Sequence, residues 1–315
     1  MDNMNDFKSH LARICQQSQA NIALPESSDP RVLSAACSLI EEGLVAEVYL
    51  FGSPNVVSQT ANKHGVPLSK FESKIKWAKE SKDGCLMDAG HLLNKGEVQA
   101  VVAGSLATTA EVIRAAIKTV GLQDGLKTVS GSFIFTKKNS SPFIYADCGV
   151  VIDPTIEQLG EITLATVATW NKIFSNLAPP HVAFLSFSTK GSASHPHVDK
   201  IQNAAKLFKE KYPQIISDGE MQFDAALKKE VGLKKKVSSN VPGNANCFIF
   251  PDLNSGNIAY KITQHLGGYN AYGPILQGLR KPYADLSRGA SVEDIVMSAC
   301  IAIANGAKGT DAPPV

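Results

Sequence analysis

Short apolar runs alternate along this chain with segments whose apolar residues recur at helical spacing, a pattern that predicts strand, helix, strand units of the parallel α/β type. Residues 5 to 18 read as a short amphipathic helix with Phe7, Leu11 and Ile14 on one face. Asn21 to Leu24 follows as a brief strand, PESSDP as a loop able to cap the next helix, Arg31 to Glu42 as that helix, and Val45 to Phe51 as the second strand. Val98 to Ala103 is a buried strand that runs through a glycine and hydroxyl loop into a helix carrying Arg114. Thr128 to Phe135 and Pro142 to Ala146 read as two strands joined by a polar turn that carries the chain to a domain boundary. A helix is expected over Thr155 to Asn176, a strand over His181 to Phe187, and a helix over Val198 to Lys211. Cys247 to Phe250 supplies a last buried strand, which turns at Pro251 and Asp252, and a final helix starts near Ser291.

The 315 residues suffice for about two domains of ordinary size. With 44% hydrophobic and 19% charged residues the composition is that of a globular protein. A formal net charge of +2 argues against nucleic-acid or membrane-coating surfaces, so any basic site is local. The cysteines at 15, 37, 85, 148, 247 and 300 are scattered without a CxxC pair, as expected of reduced, mostly buried thiols. The first residues carry acids without the apolar core of a signal peptide, and no apolar run approaches 18 residues. A cytoplasmic enzyme is expected.

Three stretches carry candidate chemistry. After the strand ending at Ala103, Gly104, Ser105, Thr108 and Thr109 lead into a helix, an arrangement that cradles phosphate on N-terminal N–H groups or else simply caps the helix. After the strand ending at Phe187, Ser188, Thr189, Lys190 and Gly191 form a second anion-friendly turn that lacks the spacing of a nucleotide-binding P-loop. The third runs from Cys247 to Ile295. There Asn254, Ser255, Gly256 and Asn257 follow the turn at Pro251 and Asp252 as a set suited to backbone N–H groups and amides facing a ligand, and Ser287, Arg288 and Asp294 place a hydroxyl, a guanidinium and a carboxylate at a loop-to-helix junction. Ser291 to Asp294 also scans as a variant capping box. Lysines 70, 74, 76, 79 and 82, in or beside an expected helix, read as a solvated face, and His195 with His197 as an exposed pair, with no metal site expected. No GxGxxG follows a strand, which disfavours a dinucleotide site.

FPDLNSGN, GPILQGL-x-KP and DLSRG, in this order and spacing, resemble the C-terminal signatures of the phosphate acetyl/butyryltransferase family. The resemblance extends back through DGEMQFDAA, LSFSTKGSA, ADCGVVIDPTIEQLGEI and GSLATTAEVIRAA, and so covers nearly the whole chain. It implies two α/β domains of isocitrate/isopropylmalate dehydrogenase-like architecture with a cleft between them, residues 1–144 with 280–315 forming the first and 145–279 the second, and a homodimer through the second. The implied reaction is acetyl-CoA plus phosphate to acetyl phosphate plus CoA, with CoA as a substrate and no cofactor or metal.

By resemblance Ser287 stabilises the oxyanion or leaving thiolate, Arg288 binds phosphate and Asp294 accepts the thiol proton, while substrate contacts fall on Arg114, Ser105, Thr108, Ser188, Thr189, Lys190, Gly191, Asn254, Asn257, Lys261, Gln277 and Gly278. CoA's thiol titrates at roughly 8 to 9 and an unperturbed aspartate near 3.9, so such a base needs burial, or a cation and helix N-terminus that stabilise the forming thiolate. Relatives often have arginine in the segment that here carries lysines only, asparagine at Ala284 and cysteine at Ala290. Phosphate butyryltransferase activity, or a non-catalytic CoA- or acetyl-phosphate-binding module, are the alternatives.

Overall fold

The computed structural model describes residues 7–174, 176–235 and 237–306. Residues 5–6 of the expected first helix, residue 175 near the end of the expected helix after Thr155, and residues 307–315 of the expected first domain lie outside the described residues. In chain order the elements are α1 (Phe7–Ser18), β1 (Asn21–Leu24), α2 (Pro30–Glu41), β2 (Glu47–Phe51), α3 (Pro54–Lys63), β3 (Ile75–Ala78), α4 (Cys85–Lys95), β4 (Ala100–Ala103), α5 (Thr109–Thr119), β5 (Ser130–Thr136), β6 (Phe143–Ala146), α6 (Ile156–Ile173), β7 (His181–Leu185), α7 (Pro196–Lys211), β8 (Ile216–Met221), α8 (Phe223–Leu227), α9 (Lys229–Lys234), β9 (Cys247–Ile249), α10 (Leu253–His265), β10 (Asn270–Gln277), β11 (Tyr283–Asp285) and α11 (Val292–Gly306).

The described residues divide into two compact units, one from residues 7–124 and 272–306, the other from within 125–271. In the first, five parallel strands lie in the order β11-β4-β1-β2-β3. All four residues of β4 are buried, as a parallel strand covered on both faces requires, with α11 packed on β4, α1 and α2. The order reverses between β1 and its neighbour β4, so the loops leaving those two strands start side by side at the carboxyl edge, where open α/β sheets bind ligands.

The second unit is built on the strands β5-β6-β9-β7-β8, in that order, of which β6, β9, β7 and β8 are parallel and β5 is antiparallel to β6. Its core is aromatic. Phe135 stacks on Phe143 with centroids 5.0 Å apart, and Tyr145 meets Phe248 and Phe250 edge-on.

Two expectations about organisation change. The boundary falls after Asp124 and not after 144, because the β5–β6 hairpin pairs through β6 with β9 and so belongs to the second sheet. The return falls at 271/272, inside β10, and not at 279/280. Residues 254–257 lie in α10, because the side chain of Asp252 caps that helix by accepting from Ser255 N at 2.8 Å and Ser255 Oγ at 2.9 Å. In the lysine-rich segment Lys70 and Lys74 lie in a 3-10 turn and Lys76 on β3. Lys70 and Lys76 pair with Glu41 and Glu47.

Candidate functional site

At the carboxyl edge of the first unit's sheet the loop after β4 does curl its N–H groups inward, but the anion it holds is the chain's own. Glu26, on the loop after β1, accepts from Gly104 N and Ser105 N at 2.7 Å each and from Ser105 Oγ at 3.0 Å through Oε2. Through Oε1 it accepts from Leu106 N at 3.0 Å and Ala107 N at 2.6 Å. Ser105 is buried in this arrangement, and Thr108 closes a capping box with Glu111 at the start of α5. Nothing in the loop's sequence marks it as already filled. The partner lies 78 residues upstream, within PESSDPR.

Asp285 ends β11 beside this loop. A Cβ on Gly104, whose φ is +104°, would lie 2.4 Å from Asp285 Oδ1 and 2.6 Å from Leu286 N, so only glycine fits there. Asp285 Oδ2 accepts from Thr109 Oγ1 at 2.7 Å, while the buried Oδ1 has no hydrogen-bond partner among the described residues. Burial pushes its carboxyl up to about 6, against the Thr109 hydrogen bond and with help from the charge of Glu26.

Beyond Asp285 the chain turns through Ser287, Arg288 and Gly289, all exposed. Ala290 N donates to Ser287 O at 2.9 Å and Gly289 N to Ser287 Oγ at 3.3 Å. Asp294 then completes the capping box: its Oδ2 accepts from Ser291 N at 2.9 Å and Ser291 Oγ at 2.8 Å, and Asp294 N donates to Ser291 Oγ at 3.2 Å. Its other oxygen takes no hydrogen bond from the described residues, and the side chain is exposed, not buried. The guanidiniums of Arg288 and of Arg114, in the second turn of α5, are exposed and make no hydrogen bond or ion pair with the described residues. They are two cationic groups on this unit open to anionic ligands. Gln277 is buried, and Gly278 is tied through its carbonyl to Gln123 N at 2.9 Å.

In the second unit the turn after β7 is also internally satisfied. Glu220 Oε1 accepts from Ser188 Oγ and Gly191 N, both at 2.9 Å. Thr189 Oγ1 accepts from Gln222 N at 3.0 Å, and Lys190 pairs with Asp218 while donating to Gly219 O at 2.9 Å. Here the acidic patch is what shapes the loop. On α10, Asn257 Nδ2 donates to Cys148 O at 3.2 Å and Lys261 to Asn257 Oδ1 at 2.9 Å, whereas Asn254 is exposed. Sequence reasoning missed Asp147, whose carboxylate accepts from the N–H groups of Gly131, Gly149, Val150 and Val151. Burial still leaves it raised despite those bonds. Cys148 is buried beside it, and burial first, then the charge of Asp147, pushes its thiol well above the usual range, which makes it a poor nucleophile. Among the described residues no group of three or more His, Cys, Asp or Glu side chains could hold a metal ion, and no helix is long and apolar enough to cross a membrane.

The sequence profile described as Phosphate acetyl/butaryl transferase matches residues 6–88 and 73–303. The chain is 37% identical over 325 residues to the phosphate acetyltransferase of Acetivibrio thermocellus, covering 93% of this chain and 97% of that one. Its fold superposes on the EutD phosphotransacetylase from Staphylococcus aureus with a TM-score of 0.87 at 32% identity, over 98% of this chain and 100% of the other. A Salmonella typhimurium chain described as a 4-hydroxythreonine-4-phosphate dehydrogenase, 12% identical, gives 0.59 over 91% of this chain and 99% of that one, a likeness of fold alone.

Proposed function

Because the chain belongs to the phosphate acetyl/butyryltransferase family, it is an acyltransferase that moves an acetyl group reversibly between CoA and phosphate, and we propose that CoA's thiolate attacks acetyl phosphate directly in a ternary complex. The observation that carries this reading is the turn that presents Ser287 and the uncommitted Arg288 guanidinium next to the capped N-terminus of α11. Arg288 takes the phosphate as a charge-assisted pair, and Ser287 donates its hydroxyl to the acetyl oxygen as negative charge gathers there. Asp294 takes the thiol proton, the carbon–sulfur bond forms, and the bond between the acetyl carbon and the phosphate oxygen breaks with phosphate leaving.

The exposure of Asp294 leaves stabilisation of the forming thiolate, by Arg288 and the α11 N-terminus, as the means of making that proton transfer favourable. A covalent acyl-enzyme is not needed. The chain has no GxSxG elbow, and its cysteine near the ADCGVV signature is held as a buried thiol. CoA acts as substrate, no other cofactor takes part, and the enzyme works in the cytoplasm. The substrate contacts named from the sequence in the second unit act through the turn after β7 and the first turns of α10. Two copies associate through that unit. Ile258 and Ile262 on α10 and Leu266 at its C-terminal cap, 58%, 53% and 85% exposed, form an apolar stripe one turn apart, which a second copy would cover.

Phosphate-dependent release of CoA from acetyl-CoA and from butyryl-CoA, measured side by side, tests the reading. Turnover favouring acetyl-CoA supports it. Preference for butyryl-CoA would move the chain to the other branch, and CoA binding without turnover would leave only a binding module.

A further inference from the structure

Arg31 sits in the first turn of α2, after the N-cap Asp29, and its guanidinium reaches three separate segments of the first unit. Nε donates to Asp29 Oδ1 at 3.1 Å and Oδ2 at 3.2 Å. Nη2 donates to Asp29 Oδ2 at 2.7 Å and to the carbonyl of Ser105 at 3.2 Å. Nη1 donates to the carbonyls of Arg288 at 2.9 Å and Ala290 at 2.7 Å. A guanidinium has five N–H donors, and here all are spent on the protein. Arg31 therefore has nothing left to offer a phosphate.

The turn it grips has little else. Ser287 to Ala290 is exposed up to Ala290 and, among the described residues, is closed on itself only by the two bonds to Ser287, so the carbonyls on either side of Gly289 take their direction from Arg31. The opposite end of the guanidinium is anchored by a buried carboxylate. Burial works to raise Asp29, but the hydrogen bonds and charge of Arg31 outweigh it and hold the group below its ordinary value, so the pair stays charged. The same side chain also ties the turn to the Ser105 carbonyl, whose amide and hydroxyl are fixed on Glu26.

We infer that Arg31 is a positioning residue of the transferase reaction, holding the Ser287–Arg288–Gly289 turn in register with the loop after β4 so that the Arg288 side chain and the Ser287 hydroxyl present in one fixed geometry. This rests on the reading of Ser287 and Arg288 as the reacting turn. The planar fork is what the role requires. Lysine carries the charge, but its three donors on a single nitrogen cannot span Asp29, the Ser105 carbonyl and the two turn carbonyls together.

Two readouts on Arg31→Lys, with Arg31→Ala beside it, test the inference. Hydrogen exchange reads the turn without reference to activity: amides of 287–291 should exchange faster in Arg31→Lys while those of β1 and β4 keep their protection. In the phosphate-dependent assay kcat should fall about ten- to a hundredfold, the scale of a small misplacement of a catalytic group, with KM for CoA and phosphate little changed. Guanidinium at nondenaturing concentration should restore part of the kcat of Arg31→Ala. Unchanged exchange at 287–291 would overturn the inference whatever the activity. So would a folded Arg31→Lys with wild-type kcat, or one that raises only KM. Absence of turnover in the wild type would instead strike the proposed function, and the exchange measurement would still decide whether Arg31 holds the turn.

Discussion

The carboxylate of Glu26 takes both the amide and the hydroxyl of Ser105, at 2.7 and 3.0 Å, and so fills the loop that by sequence looks built for a phosphate. Glu26→Gln places an NH2 against N–H donors that now face oxygen. With unsatisfied buried donors costing about 1–3 kcal/mol each, the variant should lose on the order of 3 kcal/mol in denaturant unfolding. A change below about 0.5 kcal/mol would mean that the loop does not depend on Glu26.

Asp285 carries a pH signature. Its folded carboxyl titrates at about 6, pushed up chiefly by burial, and an unfolded aspartate titrates near 3.9. The folded state therefore keeps a proton between those values. Its stabilising contribution is full below about pH 4 and is lost as pH rises through about 6. Asp285→Asn removes that loss while keeping an acceptor for Thr109, so its stability relative to wild type should rise by about 2–3 kcal/mol between pH 4 and pH 8. A difference independent of pH would contradict this assignment.

Gly256 allows α10 to lie against the backbone after β6. A Cβ there would stand 2.1 Å from Asp147 O. Gly256→Ala should cost about 1–3 kcal/mol and lower the thermal midpoint by several degrees. Wild-type stability would mean that the helix can shift away without loss.

Ile262→Glu sets a charge in the apolar stripe of α10. If two copies meet there, sedimentation should change from dimer to monomer with circular dichroism unaltered. A variant that remains dimeric would place the interface elsewhere.

Much of this was legible in the sequence, for identifiable reasons. The uniformly apolar run of β4 reads as a buried strand, which it is, and Ser291 with Asp294 declared its capping box in four residues. What escaped depended on partners distant in sequence. Glu26 meets its loop across 78 residues, and Arg31 meets Arg288 across 257, so neither local spacing nor composition shows that the first anion-friendly loop is already occupied or that the Ser287–Gly289 turn is held from outside. The α10 start misled for the opposite reason. Asn, Ser, Gly and Asn are poor helix formers, and a single cap on Asp252 together with tertiary contact outweighed them.

Asp294 has two readings, helix cap and proton acceptor, and Asp294→Asn separates them. The amide oxygen can still accept from Ser291, so the cap survives, but asparagine cannot take a proton. The kinetics of phosphate-dependent CoA release by this variant, with thermal unfolding of the same preparation, are therefore the most direct test. A folded enzyme is expected whose midpoint moves little and whose kcat falls about 10²- to 10⁴-fold, the range contributed by a general base. A folded Asp294→Asn that turns over at the wild-type rate would contradict it and leave Asp294 as a cap.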